Sequence, residues 1–387
     1  MTRASKREYI EALRERYRLA RKREKGRLLS EAMVVTGYHR KALIWMLGYG
    51  DEGPAPRRRG RRPRYGAEAV VGLVELWETA DRICARRLHP FVPELLVVLG
   101  RHGRRFSPQV EGELRAMSVS TMERRLRALR GRGHKRAYTV TRPGSLLKKS
   151  IPIRTFAEWE EGRPGFLEVD LVAHCGESVE GLHLTTLTGV DIASGWTACA
   201  GVWGKSYHEV GSAIHHLLEG MPFTVQGLDT DNGGEFINEQ LVSYCRRRRI
   251  TFTRSRPYKK NDSAHVEQKN GYVVRRYVGY DRYESREALM ALRRLYEAVG
   301  LYTNYFQPVM QLRHKSRQGA KVHKVYDRAQ TPYQRLMASG QLTRAQQERL
   351  ALAYHGLDPR RLLASIHLRQ QELWRLAALP RHQRRLR

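Results

Sequence analysis

The chain has 387 residues, enough for about two to four domains and at least one sizeable core. Its 71 Lys and Arg against 39 Asp and Glu give a net charge of +32, which points to a polyanionic partner, nucleic acid ahead of an acidic membrane surface; the plainer alternative is a ribosome-like or merely basic protein. Four scattered cysteines without a C-x-x-C pair argue against a disulfide framework and a zinc module, and no apolar run approaches the length of a membrane span, so the expectation is a soluble protein of a bacterial cytoplasm, with no membrane partner.

Residues 5–48 read as three helices. Ser5 is placed to cap the first, and Tyr9, Ile10, Leu13, Tyr17 and Leu19 follow roughly one face. The second, Leu28 to Thr36, is broken by Gly37, and the third runs from Tyr38 to Leu47 with Arg40 and Lys41 near its start. Helix, Gly-containing turn and helix suit a helix-turn-helix DNA-binding segment over 1–48, with Arg40 and Lys41 as candidate DNA contacts; an ordinary small helical bundle is the alternative. Residues 49–65 form a Pro- and Gly-containing linker. Its Arg57, Arg58, Arg59, Arg61, Arg62 and Arg64 form a basic arm able to lie along phosphates or enter an A·T-rich minor groove, or simply to stay solvated.

Residues 66–133 are helical again, with helices expected over Val70–Cys84, Pro93–Gly100 and Glu111–Met117. A further helix opens near Ser120, where Ser120 and Glu123 have the spacing of a capping box. It reads as a second recognition helix carrying Thr121, Arg124, Arg125 and Arg127, which makes 66–133 a second helix-turn-helix-like domain. Residues 134–165 are a basic, Pro-containing connector.

From residue 166 the pattern turns to strands. Phe166–Asp170 extends to His174, and Leu182–Ile192 and Trp196–Trp203 follow across a break at Ala193-Ser194-Gly195. A helix over Tyr207–Leu218, a strand over Phe223–Asp231, a helix over Asn238–Arg248 and a short strand over Ile250–Arg254 come next. Long helices are then expected over Ser263–Tyr277 and Glu284–Tyr305. Three antiparallel strands, a helix, a parallel strand, a helix and another strand build an RNase H-like α/β layer over 166–309. Residues 310–387 are expected to be a basic helical C-terminal region.

Three acids fall on separate elements of this layer. Asp170 lies in Phe166-Leu167-Glu168-Val169-Asp170. Asp231 opens Asp231-Asn232-Gly233-Gly234-Glu235-Phe236. Glu267 follows with 35 residues between, in a segment that begins Pro257-Tyr258-Lys259-Lys260. Carboxylates on a central strand, a neighbouring strand end and a facing helix suit a two-metal phosphoryl-transfer site, because Mg²⁺ takes a few hard oxygen ligands and two such ions clamp the attacking and leaving oxygens of an in-line displacement. Asp191, Asp229, Glu168, Glu235 and Asp262 are rival acids. Asp229 is the strongest of them, because it shares a strand face with Asp231. His174 and His265 fit a supporting or structural place better than a ligand one.

The run Thr230-Asp231-Asn232-Gly233 with Phe236, the pair Pro257-Tyr258 ahead of Glu267, Val266 before it and Asn270 three after it resemble the retroviral integrase and DDE transposase superfamily over roughly residues 166–308. Bacterial insertion-sequence transposases with N-terminal helix-turn-helix segments are the most similar group. The resemblance implies that Asp170, Asp231 and Glu267 are catalytic and bind two Mg²⁺ (or Mn²⁺). It also implies that Asn270 and nearby bases (Lys259, Lys260, Lys269, Arg275) touch DNA. The chain departs from the retroviral pattern at Gly271 and Val274, where those proteins carry lysines, and it lacks their His-His-Cys-Cys zinc domain. The expected function is metal-dependent DNA cleavage and strand transfer by a DNA transposase acting on double-stranded element ends and target DNA, as a homodimer or larger assembly. The alternatives are a domesticated, catalytically silent DNA-binding regulator and an RNase H-like structure-selective nuclease. The latter predicts a fourth carboxylate in the core.

Overall fold

The computed structural model describes residues 1–49, 64–129, 162–231, 233, 235–236, 238–254 and 264–378. The chain divides into two compact units, Met1–Arg64 and Tyr65–Arg387. The first holds three helices, α1 (Arg3–Leu19), α2 (Lys22–Thr36) and α3 (Arg40–Tyr49). Thr2, rather than Ser5, caps α1, accepting the Ser5 amide at 3.2 Å. Gly37 ends α2 with φ 69°, a conformation that costs glycine least. Ile10, Leu13, Leu28, Leu29, Ala32, Leu43 and Leu47 close the small core between them.

The second unit begins with helices α4 (Ala67–Thr79), α5 (Ala85–Leu88), α6 (Val92–Arg101), α7 (Pro108–Ala116) and α8 (Val119–Leu126). The first of these stops before Cys84, because Asp81 and Arg82 take positive φ (54° and 57°) and turn the chain. Ser118, not Ser120, caps α8, accepting from the Thr121 amide at 3.4 Å; with Met117, Met122 and Leu126 all fully buried, Ser120 lies inside the helix and the expected capping box does not form.

The sheet comprises β1 (Phe166–Ala173), β2 (Leu184–Asp191), β3 (Thr197–Trp203), β4 (Gly227–Thr230) and β5 (Thr251–Arg254), in the order β3-β2-β1-β4-β5. β1, β2 and β3 are antiparallel neighbours, whereas β4 runs parallel to β1 and β5 parallel to β4. This is the mixed five-stranded α/β sheet expected from the sequence over 166–309. Every residue of β2 is buried, as in a strand covered on both faces. Helices α9 (Tyr207–Glu219) and α10 (Glu239–Arg247) follow the third and fourth strands. Close packing fixes which face each large helix covers. A Cβ on Gly189 would meet Leu217 of α9 at 2.8 Å, and one on Gly201 would meet Leu292 of α13 (Arg286–Phe306) at 3.1 Å. Gly189 and Gly201 face opposite ways by strand alternation, so these two helices cover opposite faces.

Ahead of α13, the helix expected over Ser263–Tyr277 is three pieces: α11 (Ala264–Lys269), a π-helical turn over Asn270–Arg275, and α12 (Arg276–Val278). Beyond α13 the sequence expectation of helices alone needs correcting. A two-stranded hairpin, β6 (Leu312–Gln318) and β7 (Lys321–Tyr326), turns through Gly319-Ala320, with Gly319 at φ 59°, before α14 (Pro332–Ala338), α15 (Arg344–Gly356) and α16 (Pro359–Arg375). Arg, His and Lys repeat there without an apolar period, so side-chain pattern marks neither helix nor strand.

The helices over 67–126 share one core with the sheet. Tyr302 donates to the Thr79 carbonyl at 2.6 Å and Gln307 to the Ala80 carbonyl at 2.9 Å, while Tyr277 donates to Asp81 at 2.7 Å. Among the described residues no helix is long and apolar enough to cross a membrane.

Because α6 and the sheet share that core, Leu95→Ala, at a fully buried position, should cost about 2–5 kcal/mol. Hydrogen exchange read by mass spectrometry should accelerate in β1 and β2 as well as in α6; acceleration confined to 65–129 would show two independent folding units.

Candidate active site

β1 places Glu168 and Asp170 on one face, the face that α11 and α13 cover. β4 pairs Thr230 with Val169, so Asp231 leaves the sheet at the level of Asp170, where neighbouring strands run about 4.8 Å apart. The Asp231 Oδ1 then accepts the Gly233 amide at 2.9 Å, which folds the chain back in an Asx-type turn. A side chain at 233 would push the neighbouring carboxylates aside. A Cβ there would lie 2.7 Å from the Glu235 carboxyl carbon and 2.9 Å from Asp231 Oδ1.

The third acid is brought up by α11. Glu168 is buried beneath that helix, and its Oε2 accepts the amides of His265 and Val266 at 2.9 and 3.0 Å. A carboxylate set against the first turn satisfies amides that have no partner within the helix and complements its dipole. Glu267 is left exposed at the surface, and one turn further Asn270 donates its Nδ2 hydrogen to Asp170 Oδ2 at 2.6 Å. Thus α11 is pinned to β1 at Glu168 and again at Asp170. The Asn270 Oδ1 is buried with no hydrogen-bond partner.

The electrostatics bring the three acids together. Asp170 is pushed up to about 7, first by burial, then by the charge of Asp231 and, more weakly, that of Glu267; the Leu171 amide at 2.8 Å and Asn270 oppose the rise. Glu235 is also raised, by burial and then by Asp231, with Lys205 opposing. A fourth carboxyl group therefore stands beside Asp231. Among the described residues no group of three or more His, Cys, Asp or Glu side chains stands ready-formed as a metal cage.

The rival acids have structural duties. Asp229 is buried and accepts the Thr253 hydroxyl at 2.6 Å, which ties β4 to β5. Asp191 accepts the Gly165 amide and the Ser194 amide and hydroxyl, which closes the β2–β3 turn onto the start of β1. Buried His174 shares a 2.6 Å hydrogen bond with Thr186, and burial lowers it to about 3, so it is neutral at physiological pH.

The proposed DNA contacts divide. Asn270 joins the acids. Lys269 is buried under α11, lowered to about 7 by burial and then by Arg87, so it points into the protein and away from any solvent-side ligand. Arg275 is half-buried and donates to the carbonyls of Gly279 and Ala173. Arg124 and Arg125 are exposed on α8. In the first unit Lys41 is exposed and Arg40 half-buried, donating to Ser30 at 3.3 Å. Lys259, Lys260, Arg57, Arg58, Arg59, Arg61 and Arg62 lie outside the described residues. Sequence reasoning missed what Glu168 does; its position two before Asp170 on a common face was the available signal.

Two measurements test this geometry. Folded Asp170 keeps its proton up to about pH 7, whereas an unfolded carboxylate releases it near 3.8, so the folded state binds more protons between these values and loses stability as pH rises through them. Asp170→Asn should therefore raise the melting temperature at pH 8, with the gain shrinking as pH falls toward 4; a pH-independent difference would show that the Asp170 charge is not repelled. Glu168→Ala leaves two amides at the start of α11 without their acceptor and should cost about 1–3 kcal/mol, with faster hydrogen exchange at residues 265–270.

No family model matches the chain. The catalytic core domain of BIV integrase is similar over 46% of this chain and 95% of its own, with 17% identity and a TM-score of 0.29. The HTLV-2 integrase catalytic core domain, in complex with magnesium, is similar over 38% and 90%, with 15% identity and a TM-score of 0.29. Both overlaps are shallow. In sequence, "Uncharacterized protein y4rM" of Sinorhizobium fredii (strain NBRC 101917 / NGR234) is 44% identical over 326 residues, which are 84% of this chain and 92% of that protein. At that identity and reach, the chain belongs to the same family as y4rM.

Proposed function

We propose that the protein is a DDE-type polynucleotidyl transferase, a bacterial DNA transposase that cuts and joins DNA at Asp170, Asp231 and Glu267. The observation that carries this reading is geometric: the β1–β4 register sets Asp231 beside Asp170, and Asn270, one turn beyond Glu267, bonds Asp170. Acids from a strand, a strand end and a helix, far apart in sequence, lie close enough to repel one another. Such crowding is costly unless a cation or a proton relieves it. The integrase-type motif around Asp231 and Glu267 and the charge of +32 support the same reading.

The donor set fits two Mg²⁺ or Mn²⁺ ions: three carboxylates are hard oxygen ligands, and the unpartnered Asn270 Oδ1 is a further oxygen buried beside them. Asp170, Asp231 and Glu267 would hold the ions, whose contribution when bound is to neutralise phosphate charge and lower the pKa of the attacking water or hydroxyl. The chain's own part is positional. Asn270 holds one Asp170 oxygen in place, Glu168 fixes α11 and hence Glu267, and Gly233 lets Asp231 and Glu235 crowd together. Water attacks the phosphorus of a phosphodiester and expels a 3′-hydroxyl; that hydroxyl then attacks the phosphorus of a phosphodiester in a second strand, joins to its 5′-phosphate and releases that strand's own 3′-hydroxyl. No covalent enzyme intermediate is needed, and positioning supplies much of the rate. The helices of 1–48, with Arg40 and Lys41, and α8, with Arg124 and Arg125, would read duplex DNA. Pairing of two element ends calls for a dimer or larger assembly.

Glu235 favours a second reading, an RNase H-type nuclease, since it supplies a fourth carboxyl group next to Asp231. A Mg²⁺-dependent assay on DNA spanning the flanks of the gene separates the two. Defined cutting and joining by the wild type, lost in Asp170→Asn, Asp231→Asn and Glu267→Gln, supports the transposase. Cutting without joining supports the nuclease. DNA binding with no chemistry leaves a silent regulator. Asn270→Ala should retain DNA binding but lower activity about 10–100-fold, the usual cost of removing a group that orients a metal ligand.

A further inference from the structure

The hairpin over Leu312–Tyr326 does nothing for the fold. Every residue of both strands is exposed, so neither face packs on the core. A two-stranded ribbon standing alone is marginal in water. Its own charges make it worse: it carries Arg313, Lys315, Arg317, Lys321 and Lys324 and no acid, and Lys315 sits directly opposite Lys324 in the register.

The ribbon nonetheless rises from a firm base. Val309 and Gln330 exchange backbone hydrogen bonds at 2.8 and 3.1 Å below it. The buried Arg335 pairs with Asp327 at 2.8 Å and donates to the Val309 carbonyl at 2.9 Å, and Gln311 reaches the Ala193 carbonyl in the β2–β3 turn at 2.8 Å. The fold thus invests buried polar contacts in holding out a cationic arm. Where β7 meets the helical layer, a cavity of about 600 Å³ is lined by Arg86, Arg115, Lys324 and Arg328; the one acid lining it, Asp327, is already paired with Arg335.

We infer that the β6–β7 ribbon is a DNA-binding arm that enters the major groove of a duplex, with the backbone continuing over Arg86, Arg115 and Arg328. The groove is wide enough for a two-stranded ribbon. Lys315, Arg317 and Lys324 are close neighbours, since Lys315 pairs with Lys324 and Arg317 lies two residues along the same strand face. Phosphates on either side would cancel the repulsion between the opposed lysines. A second copy of this chain is a poor occupant, because two such ribbons repel. This inference rests on the nucleic-acid reading of the protein and extends it to a surface far in sequence from the three acids.

The test uses the full chain and a random-sequence duplex, with binding followed by fluorescence anisotropy from 50 to 300 mM salt. The triple substitution Lys315→Gln, Arg317→Gln, Lys324→Gln should weaken binding about tenfold or more and lower the log–log salt slope by about 3, one per lost phosphate contact. Its melting temperature should not change, since none of the three side chains is buried. If the triple variant matches a DNA-binding wild type in affinity and slope, the arm is overturned and the transferase reading stands. If the wild type itself fails to bind duplex, both fall. If vesicles of anionic lipid bind the wild type more tightly than duplex does, and the substitutions abolish that binding, the arm belongs to a membrane surface and the DNA assignment is wrong.

Discussion

The parallel pairing of β1 with β4, Val169 opposite Thr230, is the constraint on which the site depends. It carries Asp170 and Asp231, with sixty residues between them in the chain, to the same level of the sheet. A one-residue slip in either strand would send an acid to the opposite face. The register is held from several sides: Asp229 bonds Thr253 of the next strand, Asp191 closes the β2–β3 turn onto Gly165, and Gly189 admits α9 close against β2. Two acids that looked like rivals for the chemistry are thus the fasteners that put the other acids in place.

Glu168 extends the same logic to the third element. It is not offered to solvent; it is consumed by the amides of His265 and Val266 in the first turn of α11, and that contact converts a position on β1 into a position for Glu267. Asn270 closes the arrangement from one turn further on. The π-helical turn starts at Asn270, so the helix departs from regular winding at the point where it touches Asp170, a kind of irregularity that recurs at functional positions. Burial and mutual repulsion leave Asp170 with an acidity close to neutral pH, and the cost of that state is borne by the surrounding core.

That core is larger than the sheet. The helices over 67–126 and the turn after α4 meet it through Tyr302, Gln307 and Tyr277, so a segment whose sequence reads as a separate unit is a structural buttress for α13 and α12. Arg124 and Arg125 stay on its exposed side. One face of a helix can be buried while the other is solvated.

By itself, the sequence determined the order of strands and helices from 166 to 306, the motif around Asp231, the spacing to Glu267, and the presence of three helices before the Arg-rich run. These are local properties: apolar runs, glycine breaks and residue spacing survive without knowledge of neighbours. Tertiary structure decided the rest. Only packing chose Ser118 over Ser120 as the cap of α8, since burial of Met117 and Met122 sets the phase of that helix. Only the fold turned Lys269 inward, despite a charge that suggests solvent or phosphate, because its place on α11 faces the sheet. The hairpin over 312–326 was illegible because strand pairing is a long-range choice, and a run of Arg, His and Lys has no apolar side to reveal its period. The assignment of Glu168, Asp191 and Asp229 to support follows from which backbone amides and hydroxyls each carboxylate meets, and that is settled only when the chain has folded.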